Sequence, residues 1–216
     1  MTWNVLRHWL PVCGSEAAPA HEIRGLWPGR PRTAALKPWF RVMGNARTFN
    51  AIDPPALGAY RPQVLAGPVS ALRELAGAVL DDPAALTSPD LGIIVLIGPG
   101  HHPPEPADRD LFWRAFQLPV FEQLRSRTGE LLAWECEAHR GLHADPGWLG
   151  LQPARRAASR HLVEWADSHG GILHLTDAGL EAQILTEPCA CGRPGARLIG
   201  LRPRRLVQLH HYAASA

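Results

Sequence analysis

Apolar positions along this chain change their period twice. From about residue 53 they fall into short runs with clear spacing. PQVLAG (62–67) reads as a short buried strand. GPVSALRELAGAVL (67–80) sets Leu72, Leu75, Ala76 and Leu80 at helical spacing behind Ser70, a candidate helix starter. GIIVLIG (92–98) is a continuous, β-branched apolar run, as expected of a strand covered on both faces. The loop PGHHPPEP follows. PADRDLFWRAFQ (106–117) then predicts an amphipathic helix, with Pro106 near its start and Leu111, Phe112, Ala115 and Phe116 on its apolar face. LPVFEQ (118–123) and ELLAWEC (130–136) read as further strands.

After residue 145 the runs shorten. RHLVEWA, GILHLT, EAQILT, ARLIGL and RLVQLH, separated by Gly, Asp or Pro, read as small strands of a meander. LVEWADSHGG fits a helix as well as a strand. Residues 1–50 show no clean period. They predict an irregular segment with one or two short elements, partly packed through Trp27, Trp39, Phe40 and Phe49. The strand–helix–strand alternation predicts an α/β fold: a mixed sheet with flanking helices (51–145), then a small β-rich portion packed on it (146–216).

The 216 residues, 46% of them hydrophobic, can fill one sizeable core, while 21 prolines and 20 glycines imply many turns. A formal net charge of +2 gives no general attraction to nucleic acid, although ARLIGLRPRRL is locally basic. Lys37 is the sole lysine and lies in a proline-flanked segment, which argues against a Schiff base or a phosphate-loop lysine. No apolar run approaches the roughly 20 residues that span a bilayer. MTWNVLRHWLPVCG lacks the order of a secretory signal, so the expectation is a soluble, cytoplasmic protein. In that setting its four cysteines point to metal or reduced thiols before disulfides.

Three of those cysteines stand in two unusual runs, ECEAHRGLH (135–143) and EPCACGRPG (187–195). Each is short, rich in potential ligands and contains glycine, the usual anatomy of a structural zinc knuckle. Cys136, Cys189 and Cys191 would supply thiolates, and His139 and His143 compete for the fourth place. By spacing alone, three buried free thiols with surface histidines fit equally well, since free cysteine behaves as a small apolar side chain.

At these residues the sequence resembles the phenylacetate–CoA ligase branch of the adenylate-forming enzymes. YRPQVLAGPVSALRELA is similar to that family's Arg-Pro strand and following helix. GIIVLIG and DRDLFWRAFQLPVFEQ are similar to the next strand, helix and strand. ELLAWECEAHRGLH matches its Glu-Cys-Glu stretch ending in Gly-x-His, GGILHLT its Gly-Glu-Leu-x-x-Thr strand, and EPCACGRPGAR its Pro-Cys-x-Cys-Gly-Arg loop. The match runs in order over about residues 45–205. The resemblance implies a structural Zn2+ held by Cys136, His143, Cys189 and Cys191, preferring His143 to His139.

The family's nucleotide motifs are not matched. Nothing like its Ser/Thr/Gly-rich phosphate loop occurs. Where its adenine loop falls, the chain reads QLRSRTG (123–129). The stretch LTDAGLEAQILTEPC has no counterpart to its Tyr-Arg-Thr-Gly-Asp motif, and the small domain with the catalytic lysine is not matched either. Uncompensated triphosphate charge argues against ATP-dependent acyl activation by this chain alone.

Other constellations carry less. His101, His102 and Glu105 lie in a loop at a strand's C-terminal end, where α/β sheets commonly bind ligands; His102 is kept as a pocket-lining candidate. Asp108, Arg109 and Asp110 open a helix, where acids complement its dipole. Glu135 and Glu137 flank Cys136, and one of them could orient His143. Cys13 reads as an ordinary thiol. The expectation is a zinc-stabilised, non-catalytic binding or assembly module with no assigned catalytic residue. It would have a protein partner or self-associate, and bind neither nucleic acid nor membrane. The alternatives are an acid-activating acyl-CoA ligase subunit completed by a partner chain, and a zinc hydrolase, which three electron-rich thiolates disfavour.

Overall fold

A computed structural model describes residues 20–86, 89–144, 163–166, 172–175 and 179–203. Its first strands are β1 (His21–Glu22), β2 (Thr33–Leu36), β3 (Val42–Met43) and β4 (Ala46–Phe49). A strand–helix alternation follows: α1 (Pro54–Tyr60), β5 (Val64–Gly67), α2 (Val69–Asp81), β6 (Gly92–Ile97), α3 (Pro106–Phe116) and β7 (Val120–Arg125). Then come β8 (Leu131–Glu135), β9 (Leu142–Ala144), β10 (Val163–Ala166), β11 (Ile172–Leu175), β12 (Leu180–Leu185) and β13 (Arg197–Pro203).

Eleven of these strands form one mixed sheet in the order β10-β11-β12-β13-β9-β8-β7-β6-β5-β2-β4, and β1 pairs with β3 beside it. The run β4-β2-β5-β6-β7 is parallel, and from β7 to β10 every pairing is antiparallel. The expected mixed sheet with helices against it is therefore present. Residues 20–50 hold more regular structure than their aperiodic composition suggests. β2 lies between β4 and β5 with all four residues buried, because parallel pairing on both sides satisfies its backbone.

Burial explains the unbroken apolar run of β6. Ile93, Val95 and Ile97 pack toward the helices with Leu72, Leu75 and Phe112, while Ile94 and Leu96 pack on the opposite face. Each such fully buried side chain contributes about 1.5–3 kcal/mol. Helix α2 is opened by the Pro68 carbonyl, which accepts from the Leu72 N–H at 3.1 Å; Ser70 sits inside the first turn rather than at the cap. The ambiguous LVEWADSHGG contains strand β10. RLVQLH and Cys13 lie outside the described residues.

The second face is covered largely by residues 20–42, through Ile23, Phe40, Trp27 and Trp39, with Leu91 packed beside them. Trp39 reaches the C-terminal end of the parallel strands. Its ring stacks on His101 at 4.6 Å between centroids, and its indole N–H donates to the Ser126 carbonyl at 3.1 Å. Residue 98 must be glycine for this ring to fit, since a Cβ there would stand 2.3 Å from it. Arg125, fully buried, ties the same segment down. Its guanidinium donates to the carbonyls of Gly129 (2.7 Å) and Glu22 (2.9 Å) and lies 4.9 Å from the Phe40 ring centroid.

These contacts give the tryptophan two separable roles. Trp39→Phe should keep an aromatic ring but lose the indole N–H bond and some packing, costing at least the hydrogen bond's share of about 0.5–1.5 kcal/mol in chemical denaturation. Trp39→Ala should cost about 3–5 kcal/mol. Equal stability of the two variants would remove the ring from the packing scheme.

Candidate metal centre

The two knuckles are built by strand ends. β8 delivers Cys136 at its exit, and the chain turns back into β9 within five residues. His139 donates its backbone N–H to the Cys136 carbonyl at 3.0 Å, with a positive φ of 48°. Gly141 follows at φ 99°, packed so that a Cβ would stand 2.6 Å from the Leu198 carbonyl oxygen. The second knuckle joins β12 to β13, with the Gly192 N–H on the Cys189 carbonyl at 3.0 Å. β9 and β13 pair antiparallel with His143 opposite Arg197, and this register brings the knuckles face to face.

Cys136, His143, Cys189 and Cys191 each offer a ligand atom, and these atoms all lie within 4.8 Å of one another. Cys136 Sγ is 3.7 Å from Cys189 Sγ, and Cys191 Sγ is 3.3 Å from His143 Nε2. A tetrahedral ion with metal–sulfur bonds near 2.3 Å places neighbouring sulfurs about 3.8 Å apart, so the donor set fits such an ion and could bind one. The protonation states of Cys136, Cys191 and His143 divide. Burial pushes the Cys136 thiol up to about 11, so only a cation would hold it as thiolate at neutral pH. Burial also works to raise Cys191, but the Arg193 backbone N–H and the neighbouring thiols outweigh it and lower its pKa. Burial first, then Arg193 and Arg197, keeps His143 below the usual histidine range, in its neutral, ligating form.

His139 lies outside the cluster, yet it is no idle surface residue. Its ring stacks on Phe121 at 5.0 Å, and its Nδ1 is 3.0 Å from Glu135 Oε1. Neither acid flanking Cys136 orients His143. Glu137 pairs with Arg193 at 2.5 Å, Glu135 faces away, and the buried His143 Nδ1 has no partner among the described residues.

Glu135 belongs to a network that sequence reasoning missed. It accepts from the Glu122 backbone N–H at 3.0 Å and from Arg109 at 3.3 Å, and Arg109 also pairs with the Glu122 carboxylate. Arg109 thus serves two acids across β7 and β8 instead of decorating a helix start. The available signal was its place one turn into a helix that packs over those strands. Burial, then the Glu135 charge, raises Glu122 to about 7. Asp108, next to Arg109 in the chain, is 3% exposed, accepts from the Glu105 N–H at 2.8 Å and pairs with Arg73, so it fixes the helix start in more ways than dipole compensation. Glu122 and Glu135 line a cleft of about 670 Å3, bounded by Pro103, Pro104, His139, Arg140 and Leu201. His102 is exposed and does not line it.

With the sheet order and the cluster in place, comparison with solved structures is informative. The fold is that of part of an adenylate-forming ligase. 2-Hydroxyisobutyryl-CoA ligase, in an open conformation with 2-HIB-AMP and CoA, superposes with a TM-score of 0.52 at 15% identity. The match covers 81% of this chain and 45% of that ligase. The same enzyme in the thioesterification state gives 0.51 at 14% identity, covering 81% and 43%. The chain therefore spans less than half the length of the ligases it matches, and at this identity the likeness shows the ligase-like fold alone. No family model and no curated protein matches the sequence.

The acid network has a pH signature. A raised folded-state pKa means that the folded protein holds the Glu122 proton where the unfolded chain releases it. Stability should fall as pH rises from about 4.5 toward about 7. Glu122→Gln should flatten that slope in denaturation curves, and an unchanged slope would show that Glu122 does not titrate in this range. In the knuckles, His143→Ala should sharply weaken metal retention, while His139→Ala should keep the metal and only lower stability.

Proposed function

We propose that this chain is a zinc-stabilised, non-catalytic binding or assembly module built on part of the adenylate-forming-ligase fold, of the phenylacetate–CoA-ligase-like type. The observation that carries this reading is the enclosed donor set. Cys136, His143, Cys189 and Cys191 supply all four positions of a tetrahedral ion, leaving none for water or substrate. Cys136 and Cys189 are buried, as suits a clamp rather than a reaction centre. Bound Zn2+ would neutralise most of the thiolate charge and pin the β8–β9 turn to the β12–β13 turn.

Two further features support a non-catalytic role. At the C-terminal ends of β6 and β7, Trp39 stacks on His101 and donates to the Ser126 carbonyl, occupying space there. The stretch where the resemblance puts an adenine loop, residues 123–129, instead completes β7 and closes a turn held by Arg125, Ser126 and Thr128. A second reading, an acyl-CoA ligase-like subunit completed by a partner chain, is favoured by the open cleft beside the clamp and by the partial coverage of the matched ligases. Either reading includes a protein partner or a second copy of this chain.

Metal analysis of the purified protein should give about one zinc per chain, and chelation should lower its melting temperature. A metal-free protein of unchanged stability would sink the clamp. Calorimetry with ATP should show no saturable binding. Saturable binding by the isolated chain would transfer the case to the ligase-subunit reading.

A further inference from the structure

Arg197 is the first residue of β13 and directly opposes His143 in the ladder. It is 5% exposed, and among the described residues no carboxylate pairs with it. Its guanidinium instead donates to two backbone carbonyls, Arg140 O at 2.6 Å and Glu187 O at 3.2 Å, while its buried Nε has no partner. Those two carbonyls belong to opposite knuckles. Arg140 lies between Cys136 and His143, and Glu187 lies two residues before Cys189.

A buried cation without an acid is costly unless some other negative charge faces it. The dication with three thiolates and a neutral imidazole carries a net charge of −1. Arg193, whose backbone N–H reaches Cys191 Sγ at 3.5 Å, has its side-chain charge paired with Glu137 on the exposed side.

Building on the metal-clamp reading, we propose that Arg197 is the built-in counter-charge of the metal–thiolate cluster. It holds one unit of positive charge beside the site while bridging the two ligand loops. The loaded clamp and Arg197 are then neutral together, and the site selects a divalent thiophilic ion bound by three thiolates. A trivalent ion would leave the buried unit at +1, and a monovalent one would leave it at −1.

The test compares the full chain with Arg197→Lys, Arg197→Gln and Arg197→Met. Lysine keeps the charge, glutamine keeps a donor for the knuckle carbonyls without charge, and methionine removes both. Zinc affinity is read by competition with a chromophoric chelator. Cobalt(II) substitution reads ligand geometry through its thiolate charge-transfer and d–d bands, and circular dichroism of the metal-free forms reads folding. Lysine should stay within about threefold of the parent, while glutamine and methionine should lose about 10–100-fold in affinity, the range for groups supporting metal ligands. Their tetrahedral cobalt bands should keep the same positions. Glutamine matching the parent while lysine fails would overturn the counter-charge and leave only a staple. Equal affinity in all four proteins would overturn both. A parent chain that takes up neither zinc nor cobalt would instead defeat the clamp itself. If methionine prevents folding, the lysine–glutamine pair still decides the question.

Discussion

The sheet depends on one narrow seam. Its parallel half and its meander are joined by the ladder between β9 and β13, which has two register pairs, His143 with Arg197 and Leu198 with Leu142. Two pairs are little to join eleven strands, given that a cross-strand pair is worth about 0.2–1 kcal/mol. The cysteine–histidine cluster lies across this seam, with Cys136 and His143 contributed by one side and Cys189 and Cys191 by the other. A metal there would act where the backbone has least to offer. The same geometry explains why the arginine at the seam is buried and why both knuckle loops lean on it.

Much of this was legible in the sequence because the relevant signals are local. The unbroken run of β6 announces a strand covered on both faces, and the helical spacing from Leu72 to Leu80 announces α2. Both follow from side-chain period alone. The knuckles were legible for a similar reason, since ligand types and glycines cluster within nine residues each. Choosing His143 over His139 from the residues alone was not possible. The β9–β13 register brings His143, not His139, into the cysteine cluster, while Glu135 draws His139 to the other side of the turn.

What escaped sequence reading is non-local. Arg109 looked like part of a charged helix start, yet its role depends on which strands the helix covers. The buried Arg125 and Arg197 looked like any other arginines in a chain whose basic residues are nearly all arginine. Their identity as structural cations rests on carbonyls 103 and 57 residues away. Residues 20–50 looked irregular because their strands are short and their partners distant. Their aromatic residues were the one hint that they pack.

The placement of Trp27 and Trp39 also has a consequence for the order in which this protein can assemble during synthesis. The segment that roofs the sheet is made early, but its seat is made late: the Gln123 amide grips Arg24 and the Arg125 guanidinium grips Glu22 across about a hundred residues. Until β7 leaves the ribosome, the roof has nothing complete to close upon, and two large indoles must wait uncovered. Parallel sheets already fold slowly because their contacts are remote in sequence. Here the delay falls on an apolar sheet face and two large indoles, making the interval before β7 emerges a period in which the nascent chain needs protection from its neighbours.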